Sequence, residues 1–235
     1  MILFAAVNAT ALNFTLDRKS VKTSIEGTKV ELLVSGPVDI EFANGNADIR
    51  IDATVELGDL QKHFAAIALA RATNEPCGDS VTLDGATLKP KREGTEWLAE
   101  VAGNATITSA SCDAKHAVTK KTTTSGALVT LMKPRSGAGE HLAFDVTVAA
   151  GSDPKVAVLL ANDATRAALT AMLTGSLSSA VGGGAVATLS PEAASYDPRV
   201  KSVAFQTTTD GALAAHLVVT FTVPLAKLGE WHVGK

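Results

Sequence analysis

The chain is poor in aromatic side chains: one tyrosine, two tryptophans and seven phenylalanines make up 4% of 235 residues. A base-stacking groove or an aromatic sugar platform would have to rest on Trp97, Trp231 and Tyr196, and both are set aside on that ground. Charge is sparse too. Charged residues are 19% of the chain, the formal net charge is -3, and lysine and arginine are scattered rather than striped, so no nucleic-acid partner is expected. Cysteine is limited to Cys77 and Cys112, and with no histidine pair nearby two such ligands leave a zinc tetrahedron incomplete. The five histidines, His63, His116, His141, His216 and His232, form no HxH, HxxxH or HExxH spacing, and no metal site is expected. The G-x-S-x-G elbow of serine hydrolases is missing. The clusters Gly137-Ala138-Gly139 and Gly182-Gly183-Gly184 lack the Lys-Ser/Thr ending of a phosphate loop and are expected to be turns. No catalytic residue, no cofactor and no enzyme activity are therefore expected.

Long apolar runs are lacking as well. Residues 167–191 carry no charge, but three glycines and many hydroxyl side chains interrupt them, where a bilayer-spanning helix needs about 20 predominantly apolar residues. The expectation is a soluble protein with no transmembrane segment, in which this stretch is a buried helix followed by a turn. Residues 1–7 are apolar without a basic leader region and read as the stub of a trimmed leader or as a first strand.

What the chain does contain is strand signal. Residues 29–42 are rich in β-branched and apolar side chains, and Asn44-Gly45 follows, a dipeptide suited to a two-residue hairpin turn. Pro37 inside this run removes a ladder donor and predicts a bulge or an edge. Beyond the turn Ile49, Ile51, Ala53, Val55 and Leu57 alternate with Arg50, Asp52, Thr54 and Glu56, which is one buried and one wet face. Asp48, Asp52 and Glu56 are accordingly assigned to the solvated face rather than to acid-base or calcium chemistry. Asp59 is a candidate N-cap for a short helix with Leu60, Phe64, Ile67 and Ala68 on one face. Strand pattern returns over 80–88 and 97–108 around Arg92-Glu93-Gly94-Thr95, with the apolar sets of the two runs one residue out of phase, so a bulge or a different turn register is expected. Cys77 and Cys112 flank this turn almost symmetrically, which predicts a disulfide and an oxidising compartment.

The second half repeats the order. Leu142, Phe144, Val146 and Val148 alternate with polar or small residues. Ser152 or Asp153 with Pro154 then starts helix, and Asn162-Asp163 can cap a second stretch whose stripe of Leu169, Met172, Leu173, Leu177, Ala180 and Val181 stops at the glycines. Ser176 falls on this apolar side as a small residue permitting close packing. A hairpin about Asp210-Gly211, with Leu217, Val219, Phe221 and Val223 on one face, closes the chain. The intervening segments 113–125 and 134–140 read as loops around a lone strand at 127–132, which divides the chain into halves 1–125 and 126–235. The fold class expected is α+β, with curved antiparallel sheets packed on one or two helices and two pseudo-repeated halves.

This order of elements resembles the tubular lipid-binding superfamily, in which a long helix is wrapped in a highly curved antiparallel sheet. The residues carrying the resemblance are the strand into helix over 47–71, the parallel case over 141–181 and the closing hairpin at Asp210-Gly211. The first helix is shorter than the family's usual central helix. The resemblance implies a carrier of lipid or another hydrophobic molecule, with Phe64, Ile67, Leu169, Met172, Leu173 and Leu177 lining the chamber. The expected function is a periplasmic or secreted protein that binds a hydrophobic ligand without turnover. The alternative is a structural or partner-binding β domain with a solid core, whose contacts are made to a protein partner.

Overall fold

Alternation of apolar and polar residues sets the course of most of this chain, and the structure, a computed structural model describing residues 11–70, 77–189 and 191–228, is built on it. Residues 1–7, Trp231 and His232 lie outside the described residues. In a first strand group, β1 (Ala11–Ile25), β2 (Thr28–Ala43) and β3 (Asn46–Glu56) form an antiparallel meander. Asn44 and Gly45 adopt φ of 51° and 78°, the positive values that a two-residue turn between β2 and β3 requires. The apolar set Ile49, Ile51, Ala53 and Val55 is wholly buried. β9 (Leu213–Pro224) pairs with β3, and β8 (Arg199–Thr207) pairs with β9 across a loop containing Asp210-Gly211.

Patterning predicts strands only from residue 29 onward, and the structure adds β1. Its buried residues Leu16, Val21 and Ile25 are irregularly spaced because an extra residue near Arg18, with φ of 42°, shifts its register against β2. Pro37 is neither at an edge nor in a shifted strand. The ladder from β2 to β3 is interrupted opposite Gly36 and Pro37 without change of register, and the bulge lies in β1, where Asp17 and Arg18 oppose the neighbouring Ser35. Gly36 is required there: a Cβ would sit 2.0 Å from the Asp52 carbonyl oxygen.

The second strand group is β4 (Gly78–Glu93), β5 (Glu96–Cys112), β6 (Val118–Ser136) and β7 (Leu142–Val148). The expected bulge is present. Asp84 pairs with Asn104 and Thr87 with Ala102, so Gly85 and Ala86 oppose Gly103 alone, and beyond this point Val81 faces Ile107 in phase. Cys77 and Cys112 form a disulfide across the open end of this hairpin, with Cα atoms 5.7 Å apart. The loop expected over 113–125 is corrected: from Val118 it is strand, and β6 runs unbroken to Ser136. Threonines favour extended backbone, but residues 118–123 are exposed on both faces, so no apolar period marks the strand. The boundary drawn after residue 125 falls inside β6.

The two groups form one curved sheet of nine strands, yet they join through a single bridging pair, Trp97 with Phe205. The Phe144 and Phe205 rings stack at 6.2 Å beside this junction, and Ser136 Oγ donates to the Val200 carbonyl at 2.7 Å.

Among the described residues four α-helices complete the α+β fold. α1 (Gly58–Ala70) buries Leu60, Phe64, Ile67 and Ala68 as its spacing predicts. Its first carbonyl acceptor is Leu57, which receives the Gln61 N–H at 2.9 Å, so Asp59 is not the N-cap. Asp59 instead accepts the Glu31 N–H at 2.9 Å and ties the helix to β2. α2 (Pro154–Leu159) is capped by Asp153, which accepts the Lys155 N–H at 2.8 Å. α3 (Asp163–Ala187) is capped by Asn162, and α4 (Leu225–Leu228) follows β9. α3 packs on β1, β2, β3 and β9 from one group and on β4 and β7 from the other. It is long and apolar enough to cross a membrane by length and composition, and 56% of its most apolar window is buried inside the protein. The turn expected at Gly182, Gly183 and Gly184 is corrected, since α3 continues through all three to Ala187. Gly184 lies against β2, where a Cβ would meet Leu32 Cδ1 at 2.8 Å, and helical packing against the sheet outweighs poor helix propensity there.

Asp79 at the start of β4 accepts from Ser109 Oγ at 2.6 Å and from Thr165 Oγ1, in the first turn of α3, at 2.7 Å. These hydrogen bonds, the Ser109 one foremost, hold its carboxyl below the usual carboxylate range against the opposing effect of burial.

Two predictions arise here. Gly184→Leu should lower stability by about 1–3 kcal/mol through overpacking, whereas Gly183→Ala, with nothing within 4 Å of its Cβ, should raise it by roughly 0.8–1 kcal/mol, both read from urea midpoints. The folded pKa of Asp79 is depressed, so its contribution is fully present above the unfolded carboxylate value of about 3.9 and is lost as pH falls through the folded value. Asp79→Asn should therefore destabilise the protein by about 1–3 kcal/mol at neutral pH and flatten the acid limb of a stability-against-pH curve.

Candidate functional site

Chemistry-bearing side chains of this fold collect on the outer face of the first strand group, because β3 and β9 bury their apolar alternates and carry Asp48, Arg50, Asp52, His216, Thr220 and Thr222 on the other side. Cross-strand register arranges them in rows. Asn13, Asp39, Arg50, Thr220 and Arg199 form one row across five strands, and Ala11, Glu41, Asp48 and Thr222 form the next. Together with Tyr196 and Asp197, which precede β8, these residues line an open groove of about 780 Å³.

Charges in the groove are partly matched. Arg199 Nη2 lies 2.8 Å from Asp197 Oδ2, and Arg50 stands directly opposite Asp39. Thr222 Oγ1 donates to Asp48 Oδ1 at 2.6 Å. With its amide turned to satisfy both ends, Asn13 donates to Asp39 Oδ1 at 3.1 Å. Glu41 and Asp48 are an exception, two carboxylates directly opposite on neighbouring strands, an arrangement that disfavours pairing. Among the described residues no lysine or arginine forms an ion pair with either.

Beside the groove, His216 Nε2 lies 2.7 Å from Asp52 Oδ1, and Gln206 Nε2 donates to Thr54 Oγ1 at 3.1 Å. An imidazole oriented by a carboxylate can carry a proton, but nucleophilic catalysis needs a hydroxyl or thiol within its reach. Among the described residues no serine, threonine or cysteine is hydrogen-bonded to His216. No group of three or more His, Cys, Asp or Glu side chains among them is arranged to hold a metal ion. Spacing along the chain gives no sign of this pair, because Asp52 and His216 are 164 positions apart and meet only through the β3–β9 register.

The six side chains expected to line an apolar chamber stand elsewhere. Phe64 and Ile67 on α1, and Leu169, Met172, Leu173 and Leu177 on α3, are between 0% and 6% exposed and belong to one continuous hydrophobic core. None of them lines this groove or the two further grooves beside Arg18 and beside Lys22.

No family model, no curated protein and no solved structure matches the chain. The fold and the geometry of its surfaces therefore carry the functional argument alone.

Glu41→Lys, which replaces the facing carboxylates with an opposite-charge pair, should raise stability by roughly 0.2–1 kcal/mol in urea titration. The gain should shrink as salt is added, because both groups are exposed.

Proposed function

We propose that this protein is a periplasmic or secreted, noncatalytic binding domain that engages a partner protein with its outer sheet surface. The observation that carries this reading is the burial of Phe64, Ile67, Leu169, Met172, Leu173 and Leu177 against one another's elements while the polar groove along β1, β2, β3 and β9 stays open. Apolar side chains that contact each other leave a ligand no surface, whereas a groove of mixed charge presents donors and acceptors at fixed strand spacing. The disulfide supports an oxidising setting, in which such a bond persists.

A second reading, a carrier of lipid or another hydrophobic molecule, is favoured by one observation: α3 is packed on strands of both groups, as a central helix wrapped in a curved sheet would be. On that reading β3, α1 and the β4–β5 hairpin form one module, and β7, α3 and the β8–β9 hairpin form a second. The two readings part on bound ligand. Organic extracts of the protein purified without detergent should contain no enriched apolar species by mass spectrometry. One equivalent of a lipid per chain would replace the partner-binding reading with the carrier.

A further inference from the structure

Positive charge gathers at the far end of the β5–β6 hairpin. Residues 113–125 hold Lys115, Lys120 and Lys121 against the single carboxylate of Asp113, in a chain whose formal net charge is -3. The turns at Glu26-Gly27, Glu93-Gly94 and Asp210-Gly211 each carry a carboxylate instead. Folding also draws the nearby acids inward. Asp113 Oδ1 accepts the N–H groups of Lys115 and Ala117 at 2.8 and 2.9 Å, and Asp79, at the neighbouring start of β4, is engaged by Ser109 and by Thr165 of α3. Residues 113–123 are all exposed, and among the described residues none of the three lysines forms an ion pair. The tip is held in one shape: the Cys77–Cys112 disulfide lies under it, with the His116 carbonyl 3.8 Å from Cys77 Sγ, and the Asp113 N–H closes the turn on the Ala117 carbonyl at 3.0 Å.

Where these lysines stand decides what they can meet. Successive strand residues project to opposite faces, so Lys120, paired with Ser111, and Lys121, paired with Ala110, lie on the two sides of the ribbon, while Lys115 lies in the turn beyond them. A partner laid against either side of the ribbon reaches only one of the pair. A flat surface met end-on draws on all three, because Lys120 and Lys121 start about 10–13 Å behind Ala117, and screening acts over about 10 Å at 0.1 M salt. The end of the ribbon among these ammonium groups is apolar, made of Ala114, Ala117 and Val118, the last 49% exposed. Cationic side chains around a small apolar end match the boundary of an anionic bilayer, where headgroup charge overlies acyl chains.

We infer that the tip over residues 113–121 docks end-on against an anionic lipid surface, with Lys115, Lys120 and Lys121 meeting the headgroups and Val118 the boundary beneath them. A lysine near such a surface strengthens binding about fivefold, so three together give on the order of a hundredfold, which supports reversible attachment rather than anchoring. The tip belongs to the second strand group, so attachment leaves the groove on the first group open and is independent of the ligand that the groove or the core takes.

The test sediments the intact oxidised chain with vesicles of phosphatidylcholine alone or with an equal part of phosphatidylglycerol. Binding to the anionic vesicles should be at least about tenfold stronger at about 0.1 M salt and should fall to the zwitterionic level at about 1 M, where screening acts over about 3 Å. Lys120→Gln and Lys121→Gln should each weaken it about fivefold, since end-on contact draws on both sides of the ribbon. Lys115→Glu, Lys120→Glu and Lys121→Glu combined should abolish it, with the disulfide and the far-ultraviolet circular dichroism unchanged. Lys22→Glu, Lys29→Glu and Lys89→Glu combined change the net charge equally at other places and should leave most of the binding. Equal binding to both kinds of vesicle overturns the inference, as does a loss from the second triple variant as large as from the first. Dependence on only one of Lys120 and Lys121, or binding to polyglutamate in place of vesicles, assigns the tip to an acidic protein face and overturns it as well.

Discussion

Two groups of strands that share one backbone bridge cannot be held together by their sheet hydrogen bonds, and the burial of α3 between them is what the rest of the structure depends on. Only Trp97 and Phe205 carry the ladder from one group to the other. α3, by contrast, packs on β1, β2, β3 and β9 on one side and on β4 and β7 on the other, and it buries Leu169, Met172, Leu173, Leu177, Ala180 and Val181 there. Fully burying a large aliphatic side chain contributes about 1.5–3 kcal/mol, so four such residues outweigh the one or two hydrogen bonds of a lone bridge by several fold. Small residues make the contact possible. Ser176, Ala180, Gly184 and Ala185 are all buried in α3, and Gly184 brings the helix against Leu32 with no room for a Cβ.

The ends of α3 are held electrostatically, one by each strand group. Asp79 on β4 accepts from Thr165 in the first turn, and Lys19 on β1 donates from Nζ to the Thr188 carbonyl just past the last turn at 2.8 Å. A carboxylate at the start and an ammonium at the finish both complement the helix dipole. The helix is therefore clasped lengthwise as well as sandwiched. The disulfide acts on the same construction, because Cys77 lies two residues before Asp79, and its bond to Cys112 fixes the start of β4 where the carboxylate must meet α3.

How much of this could be read in the chain follows from what each signal measures. Hydrophobic alternation reports burial of one face, so β3 and β9 were legible, as were the apolar stripes of α1 and α3; β7 shows the same alternation, although only Phe144 in it is buried. The bulge between β4 and β5 was legible for the same reason, because two buried faces out of phase demand it. Within β6 the span 127–132 was legible as strand, whereas residues 118–123 were not, since they are exposed and no apolar period marks them. β1 was obscured by the extra residue at Arg18, which breaks its period. The run of glycines in α3 reads as a turn because propensity is local, whereas the reason for Gly184 is Leu32, far away in sequence. The groove and the Asp52–His216 contact depend on register across β1, β2, β3, β9 and β8, information that no window along the chain contains. The six candidate lining residues are buried, but periodicity cannot distinguish a face that meets other side chains from one that meets a cavity.

That last ambiguity decides where function can reside. A curved sheet around a helix has two ways to satisfy its inner face, by filling the interior or by enclosing a ligand. Here Ala47, Ala53, Ala99, Ala105 and Ala215 line the inner side, each fully buried, and small side chains bring sheet and helix backbones together instead of holding them apart. Phe64 and Met132 are among the largest fully buried side chains of the same core. On the partner-binding reading, the outer rows of paired and unpaired charge are the surfaces on which recognition would act. Polar rows at fixed strand spacing read the chemistry of a partner side chain by side chain, while the lysines at the β5–β6 tip would answer only to the charge of a surface. The two lie on different strand groups, so one molecule can present both at once.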